Sequence, residues 1–509
     1  MSDGAAIVDE VEFRDAVGAR AGALLDVARR LAATDPAEVG PALALLGRPH
    51  LAVIQSQATV VEELLDAYGA LRNERWRAFR GVIAALKLFA RVDYALVHLV
   101  QAAPHYRLLS VEGDLGEALS DARRLTARVL QTASRRLAEA AAPLGLRPAP
   151  ANACEDALPP GRLPQDCALR HVGDVAGTVA RLATAFLNLA EEAGPLEVAA
   201  TALPRESELR RVAEDFHNLQ ALYDTDVAST DAERADPDLP SLRGHASVVY
   251  HLLEVATDLT HYRERHVAHA APVNGPGRLF ARDPDCIAPE ALERVLRGAL
   301  SFAVRYVLAG RALAQRLLAR YAEAGDITVP VPRYRGFHVR PSTLVARVAH
   351  HYGSPVSMTL DDEIYDASSP LELFRANEHI NAKKRRWLAQ EIGSLVDGAE
   401  ERLGEDLARA VRSVLMRLAE EAKVVLYEQP LPRVDAPREE GQPVLSFIVD
   451  AVARLQALGK IDIVATVTAT FRGDRRVLAD LRLLAESGYG EDAYGNNVAL
   501  PEALGYLRH

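Results

Sequence analysis

Ile461-Asp462-Ile463-Val464-Ala465-Thr466-Val467-Thr468-Ala469-Thr470-Phe471 places apolar side chains at every odd position, with Asp, Val and three Thr between them. A period of two is that of a strand with one face buried and the other polar. The stretch therefore predicts a strand over 461–471 in a chain whose other signals are mostly helical. A helix from Asp474 to Ser487 follows through a tight Arg472-Gly473 turn and stops at Gly488. Working outward, Ile327 to Val331 reads as a further strand. Val356 to Leu360 and Glu363 to Asp366 read as a hairpin turning at Asp361-Asp362. Helical residues 381 to 422 and 444 to 458 flank a short extended stretch, Val424 to Tyr427. The C-terminal region is thus expected to be α+β, with helices on one face of a mostly antiparallel sheet.

Upstream of Gly325 there are only helical signals. Ala, Leu, Arg and Glu dominate, and periodic stretches lie at about 8–33, 56–103, 115–142, 170–193, 206–224, 242–268 and 289–324. Residues 56–103 contain no proline and read as one long helix or two collinear ones, with Gly69 and Gly81 as candidate breaks. Six prolines between residues 143 and 164 mark a boundary, so helical subdomains are expected at 1–145 and 165–324, followed by an α+β domain at 325–487 and a tail at 488–509. The fold class is mainly α, a helical bundle region followed by an α+β unit.

Composition narrows the function. The 509 residues carry 59 basic and 70 acidic side chains, a net charge of −11, which argues against extended nucleic-acid binding. Only five of the basic residues are lysines. The N-terminus lacks a cationic segment followed by an apolar run, and no stretch reaches the ~18 apolar residues of a membrane span, so a cytoplasmic protein without a membrane partner is expected. Cys154, Cys167 and Cys286 form no C-x-x-C pair and read as free thiols. Nucleotide-binding loops, hydrolase elbows and zinc spacings are absent from the sequence, and no cofactor is expected.

The run Gly336-Phe337-His338-Val339-Arg340-Pro341-Ser342-Thr343 lies between a strand and a helix. Pro341 suits a first helical turn, and the amides of Ser342 and Thr343 are expected to face outward as an anion site at the positive end of the helix dipole. His338 is a candidate nucleophile near neutral pH. Arg340 offers bidentate donors to phosphate oxygens, and Gly336 leaves room for close backbone approach. The segment resembles the active-centre loop of HPr, the small histidine phosphocarrier of the phosphoenolpyruvate-dependent sugar phosphotransferase system: Gly, an aliphatic residue, His, a small residue, Arg, Pro, a small residue. It departs at Phe337, where the family has Leu or Ile, a ring expected to alter partner docking. The order of strand, motif, helix, hairpin and second helix follows the family through about residue 380. Residues 461–487 look like the family's last strand and helix, which makes about 381–460 a helical insertion in an open-faced sandwich. In the other register, Val424 to Tyr427 and 444–458 take those places.

The resemblance implies that His338 accepts phosphate on Nδ1 from an enzyme I-like donor, with Arg340 and the phosphate-binding Gly336, Ser342 and Thr343 beside it. The roughly 400 extra residues point away from a freely diffusing carrier and toward a phosphotransferase-linked regulatory protein. The partner of the helical region is not legible. Ser369 lies where some family members carry a regulatory serine, and it also fits a capping box with Pro370 and Glu372. Lys383-Lys384-Arg385-Arg386 reads as a solvated helix face. The tail Gly488 to Asn497 is expected to wrap over the α+β domain and to help form a homo-oligomer. Two rivals remain: a helical scaffold with an unphosphorylated HPr-like docking module, and a metal-dependent helical enzyme. The latter would use His251, Glu254, Asp258 and His261, which share about 80° of helical arc.

Overall fold

The computed structural model describes residues 7–150, 168–194, 196, 203–267, 289–396, 407–427, 442–492 and 495–508. The chain divides into two compact units, Met1–Ala314 and Gln315–His509. It is mainly helical, with a small antiparallel sheet. No helix among the described residues is long and apolar enough to cross a membrane.

The first unit holds helices α1 (Glu10–Ala32), α2 (Val39–Leu45), α3 (Arg48–Ala67), α4 (Arg77–Ala102), α5 (Leu115–Ala141), α6 (Val175–Glu192), α7 (Glu206–Asp226), α8 (Asp231–Ala235), α9 (Asp238–Tyr262) and most of α10 (Pro289–Arg320). The proline-free stretch 56–103 is not one helix. It breaks at Gly69, which takes a left-handed φ of +71°, while Asn73 Oδ1 caps the amides of Arg75 and Trp76. The chain then reverses so that α4 packs against α3, and Gly81 lies undisturbed inside α4. Helix α4 is buried around much of its circumference, through Phe79, Ile83, Leu86, Phe89 and Leu96. It also packs against α5 and α9. That last contact crosses the proline-rich boundary, and the described helices on both sides of it, as far as Ala314, lie in the same compact unit. Most of residues 143–164, and Cys154, Cys167 and Cys286, lie outside the described residues.

In the second unit, β1 (Ala324–Pro330), β2 (Ser357–Leu360), β3 (Glu363–Asp366) and β6 (Thr468–Asp474) form an antiparallel sheet of order β1-β6-β2-β3. Register places Ile327 and Met358 opposite Phe471, with Val329 opposite Ala469, and all five side chains are buried. The other face carries Thr328 and Thr470, whose hydroxyls meet at 2.9 Å. Helices α11 (Val339–Tyr352), α12 (Pro370–Val396) and α15 (Arg475–Glu486) complete this layer, α15 against β1 and β6 and α12 against β3. The expected hairpin forms with Asp361 at a φ of +51°. There is no Arg472-Gly473 turn. Strand β6 runs to Asp474, whose carboxylate caps α15 at the amide of Arg476.

The strand expected over 461–471 is two strands in different sheets. Residues Ile461–Ile463 form β5, paired with β4 (Val424–Leu426), and β6 begins only at Thr468. Burial still alternates across the gap, with Ala465 and Val467 inside and Thr466 outside. The two ends serve separate cores. Ile461, Ile463 and Ala465 join a cluster made by the second half of α12, α13 (Leu407–Glu420), β4 and α14 (Val444–Ala457), whereas Ala469 and Phe471 face the four-stranded sheet's helices. The described residues of 381–460 therefore pack as a small layer of their own. It begins without a break, because α12 runs on through residue 381.

Candidate functional site

The motif is held by a loop with two successive left-handed residues, Arg335 (φ +52°) and Gly336 (φ +61°). Asn377 on α12 clasps it, donating from Nδ2 to the Arg335 carbonyl at 3.1 Å. The room that Gly336 leaves is taken by that same side chain, since a Cβ there would collide with Asn377 Oδ1. Gly336→Ala thus combines an unfavourable φ with a steric clash. It is expected to lower the unit's stability by about 1–3 kcal/mol, read as a lower urea midpoint; an unchanged midpoint would show that Asn377 moves aside freely.

A buried cation secures the loop from behind. Lys384 is fully buried, and its Nζ donates to the Arg333 carbonyl at 2.7 Å and lies 3.8 Å from Asp462 Oδ1. Asp462 also accepts the amides of Arg335 and, at 2.7 Å, Ile463. Burial pushes the Lys384 ammonium below the usual lysine range, against the pull of the Asp462 carboxylate. The expectation of a solvated face at 383–386 fails at this residue: α12 turns Lys384 inward beneath the loop, while Lys383 bonds Asp361 at 2.6 Å.

His338 is the N-cap of α11, with extended backbone angles. The first helical bond runs from the Ser342 amide to the His338 carbonyl at 3.1 Å. Pro341 is the third helical residue, and the amides without an intrahelical acceptor are those of Val339 and Arg340. The expected outward amides of Ser342 and Thr343 are corrected by this register. Ser342 is fully buried, its hydroxyl bonded to the Phe337 carbonyl at 2.9 Å, and the Thr343 hydroxyl bonds the Val339 carbonyl at 2.7 Å. Phe337 offers nothing to a partner either. It is fully buried and meets Tyr489 edge-on, ring centroids 5.7 Å apart.

The tail, expected to wrap over the α+β domain, reaches this site, which its sequence did not signal, and supplies Glu491 and Asn497 to it. Gly488, Tyr489 and Gly490 are all left-handed, and Tyr489 is anchored by its hydroxyl on the Pro330 carbonyl at 2.7 Å. That turn aims Glu491 at the motif, so that Glu491 Oε2 lies 2.6 Å from His338 Nε2. The Arg340 guanidinium donates to Asn497 Oδ1, and its Nε has no hydrogen-bond partner among the described residues. His338 keeps 27% of its side-chain surface and Glu491 12%. The tail closes on itself through a bridge between Glu491 and Asn497 and through the Val498 amide on the Gly490 carbonyl at 3.0 Å. An imidazole, a guanidinium and two amides without an intrahelical acceptor at one helix N-terminus can hold an anion beside a nitrogen nucleophile.

Ser369 caps α12, its hydroxyl accepting the Glu372 amide at 3.3 Å. The reciprocal arm of the capping box is missing, because the Ser369 amide donates to the Asp366 carbonyl. In the helical unit, the stripe 251–261 is divided among separate partners. His251 pairs with Glu254 at 2.8 Å, Asp258 with Arg91, and His261 with Glu206 at 2.9 Å. Among the described residues no three His, Cys, Asp or Glu side chains are grouped to hold a metal. Burial, and after it the neighbouring His251, hold the His98 imidazole below its usual range.

Comparison with protein-family models, with curated proteins and with solved structures found no match to this chain.

Proposed function

We propose that the second unit is an HPr-like phosphoryl acceptor within a phosphotransferase-linked regulatory protein, phosphorylated on His338 by an enzyme I-like donor. The observation that carries this reading is the placement of His338 as the cap of α11. There the Val339 and Arg340 amides follow it in the first turn of the helix, and the segment that meets the His338 ring through Glu491 also meets the Arg340 guanidinium through Asn497; His338 is the side chain of the motif able to act as a nucleophile near neutral pH. The order of elements supports it: strand, motif loop, helix, hairpin, helix, and then a last strand and helix, β6 and α15, after an insertion. Between the two registers left open by the sequence, the pairing of β6 with both β1 and β2 favours the one that ends in α15, since β4 pairs with β5 alone.

In the proposed transfer the Nδ1 lone pair attacks phosphorus as the donor's bond to phosphorus breaks, and the donor keeps that electron pair. Arg340 and the helix terminus stabilise the charge on the transferred group. Ser342 and Thr343 act only through the helix they build. Incubating the full chain with labelled phosphoenolpyruvate and the host's enzyme I is expected to give acid-labile label that disappears in His338→Ala. A folded wild-type chain that takes no label would favour the docking-module reading.

A further inference from the structure

We propose that Glu491, 153 residues away in the C-terminal tail, is a positioning residue for His338: it fixes the imidazole proton on Nε2 and so presents the lone pair of Nδ1 to phosphorus. The inference rests on the phosphoryl-acceptor reading of His338. A neutral imidazole has one N–H, and its location is set by the partner that each ring nitrogen meets. An ionised carboxylate only accepts, so the 2.6 Å contact from His338 Nε2 to Glu491 Oε2 places the proton on Nε2. Nδ1 is then the nitrogen with an available lone pair. The same carboxylate acts again when the P–N bond forms: the ring becomes cationic with its proton still on Nε2, and Glu491 faces that charge directly. The leaving group departs with the electrons of its bond to phosphorus and takes its proton from solvent.

Glu491 is not a loose tail residue that happens to fall near the ring. Its amide donates to the Gly488 carbonyl at 3.3 Å, and its backbone is bridged to Asn497. The turn that delivers it is anchored by buried Tyr489 against Pro330 and Phe337. The bridge also brings Asn497 onto Arg340, so one closed segment orients both motif side chains.

The test uses the full chain and phosphoramidate, a small donor that needs no protein partner. Long-range ¹H–¹⁵N spectra of neutral His338 should show the Nε2–H tautomer in the wild type and a mixture in Glu491→Gln and Glu491→Ala. Labelling of His338 should slow roughly 10- to 100-fold in both variants, the range for partners that orient a metal-bound histidine. Glu491→Gln keeps the side chain's size, so matched urea midpoints separate the effect from misfolding. An unchanged tautomer or an unchanged rate overturns the proposal, and so does faster labelling, which would make the tail a cover that blocks the ring. A wild-type chain that takes no label from either donor overturns the acceptor reading itself, and the spectra then still report whether Glu491 sets the tautomer.

Discussion

Lys384→Met is expected to destabilise the C-terminal unit by about 3–5 kcal/mol, because it leaves the buried Asp462 carboxylate without its cation. The methionine fills nearly the same volume, so packing loss contributes little. What is lost is the ammonium that sits between the Arg333 carbonyl and Asp462. The double variant Lys384→Met/Asp462→Leu should recover part of the deficit, since it removes the stranded charge, but it also releases the Arg335 amide from its acceptor. The chain has two tryptophans. Trp387 packs against the insertion's core and Trp76 lies in the helical unit, so in a Trp76→Phe background Trp387 fluorescence reads urea unfolding of the second unit alone. A single variant within about 1 kcal/mol of wild type would mean that Asp462 finds compensation elsewhere.

The comparable experiment in the helical unit is Arg123→Ala. Asp93 is fully buried in α4, and Arg123 of α5 faces it at 3.3 Å and 3.4 Å while also bonding the Leu46 carbonyl. Removing the arginine leaves a buried carboxylate held only by the Thr126 hydroxyl at 2.8 Å, a loss of about 3–5 kcal/mol at pH 7. The pH dependence has a definite sign. Burial raises the Asp93 carboxyl above the usual carboxylate range even with Arg123 present, and loss of that cation raises it further. A carboxyl raised in the folded state binds its proton there first. The folded state therefore gains relative stability as pH falls from neutrality through the raised value toward the ordinary range. The deficit of Arg123→Ala should accordingly be largest near neutral pH and smaller in mild acid. Thermal melts of wild type and variant across that window check this, and a deficit that grows on acidification would contradict it.

Several features were legible in the sequence because they depend on local pattern. The helical periodicity, the hairpin around Asp361 and the inward alternation of Ala469 and Phe471 all report burial of near neighbours, and burial is what a period of two or 3.6 encodes. The same alternation could not reveal that Ile461 to Ile463 pairs in a different sheet, because a period of two names a buried face and not the strand beside it. Proline's tolerance through a first helical turn made Pro341 an ambiguous marker. Its actual position, two residues deeper than the helix start, moves the amides without an intrahelical acceptor from Ser342 and Thr343 to Val339 and Arg340. Lys384 was hidden inside a run of like charges. Glu491 and Asn497 lie in an aperiodic tail more than 150 residues from the side chains they meet, a separation at which spacing carries no information.

Phosphorylation of His338 is the claim on which the functional account rests, and it can be read without any assumption about the rest of the chain. Intact-protein mass spectrometry of the full-length protein after exposure to phosphoramidate, with wild type and His338→Ala in parallel, should show the mass of one phosphoryl group on the wild type. That addition should vanish on brief acid treatment and be missing from the variant. An unmodified wild-type chain, or equal modification of both proteins, would contradict the account.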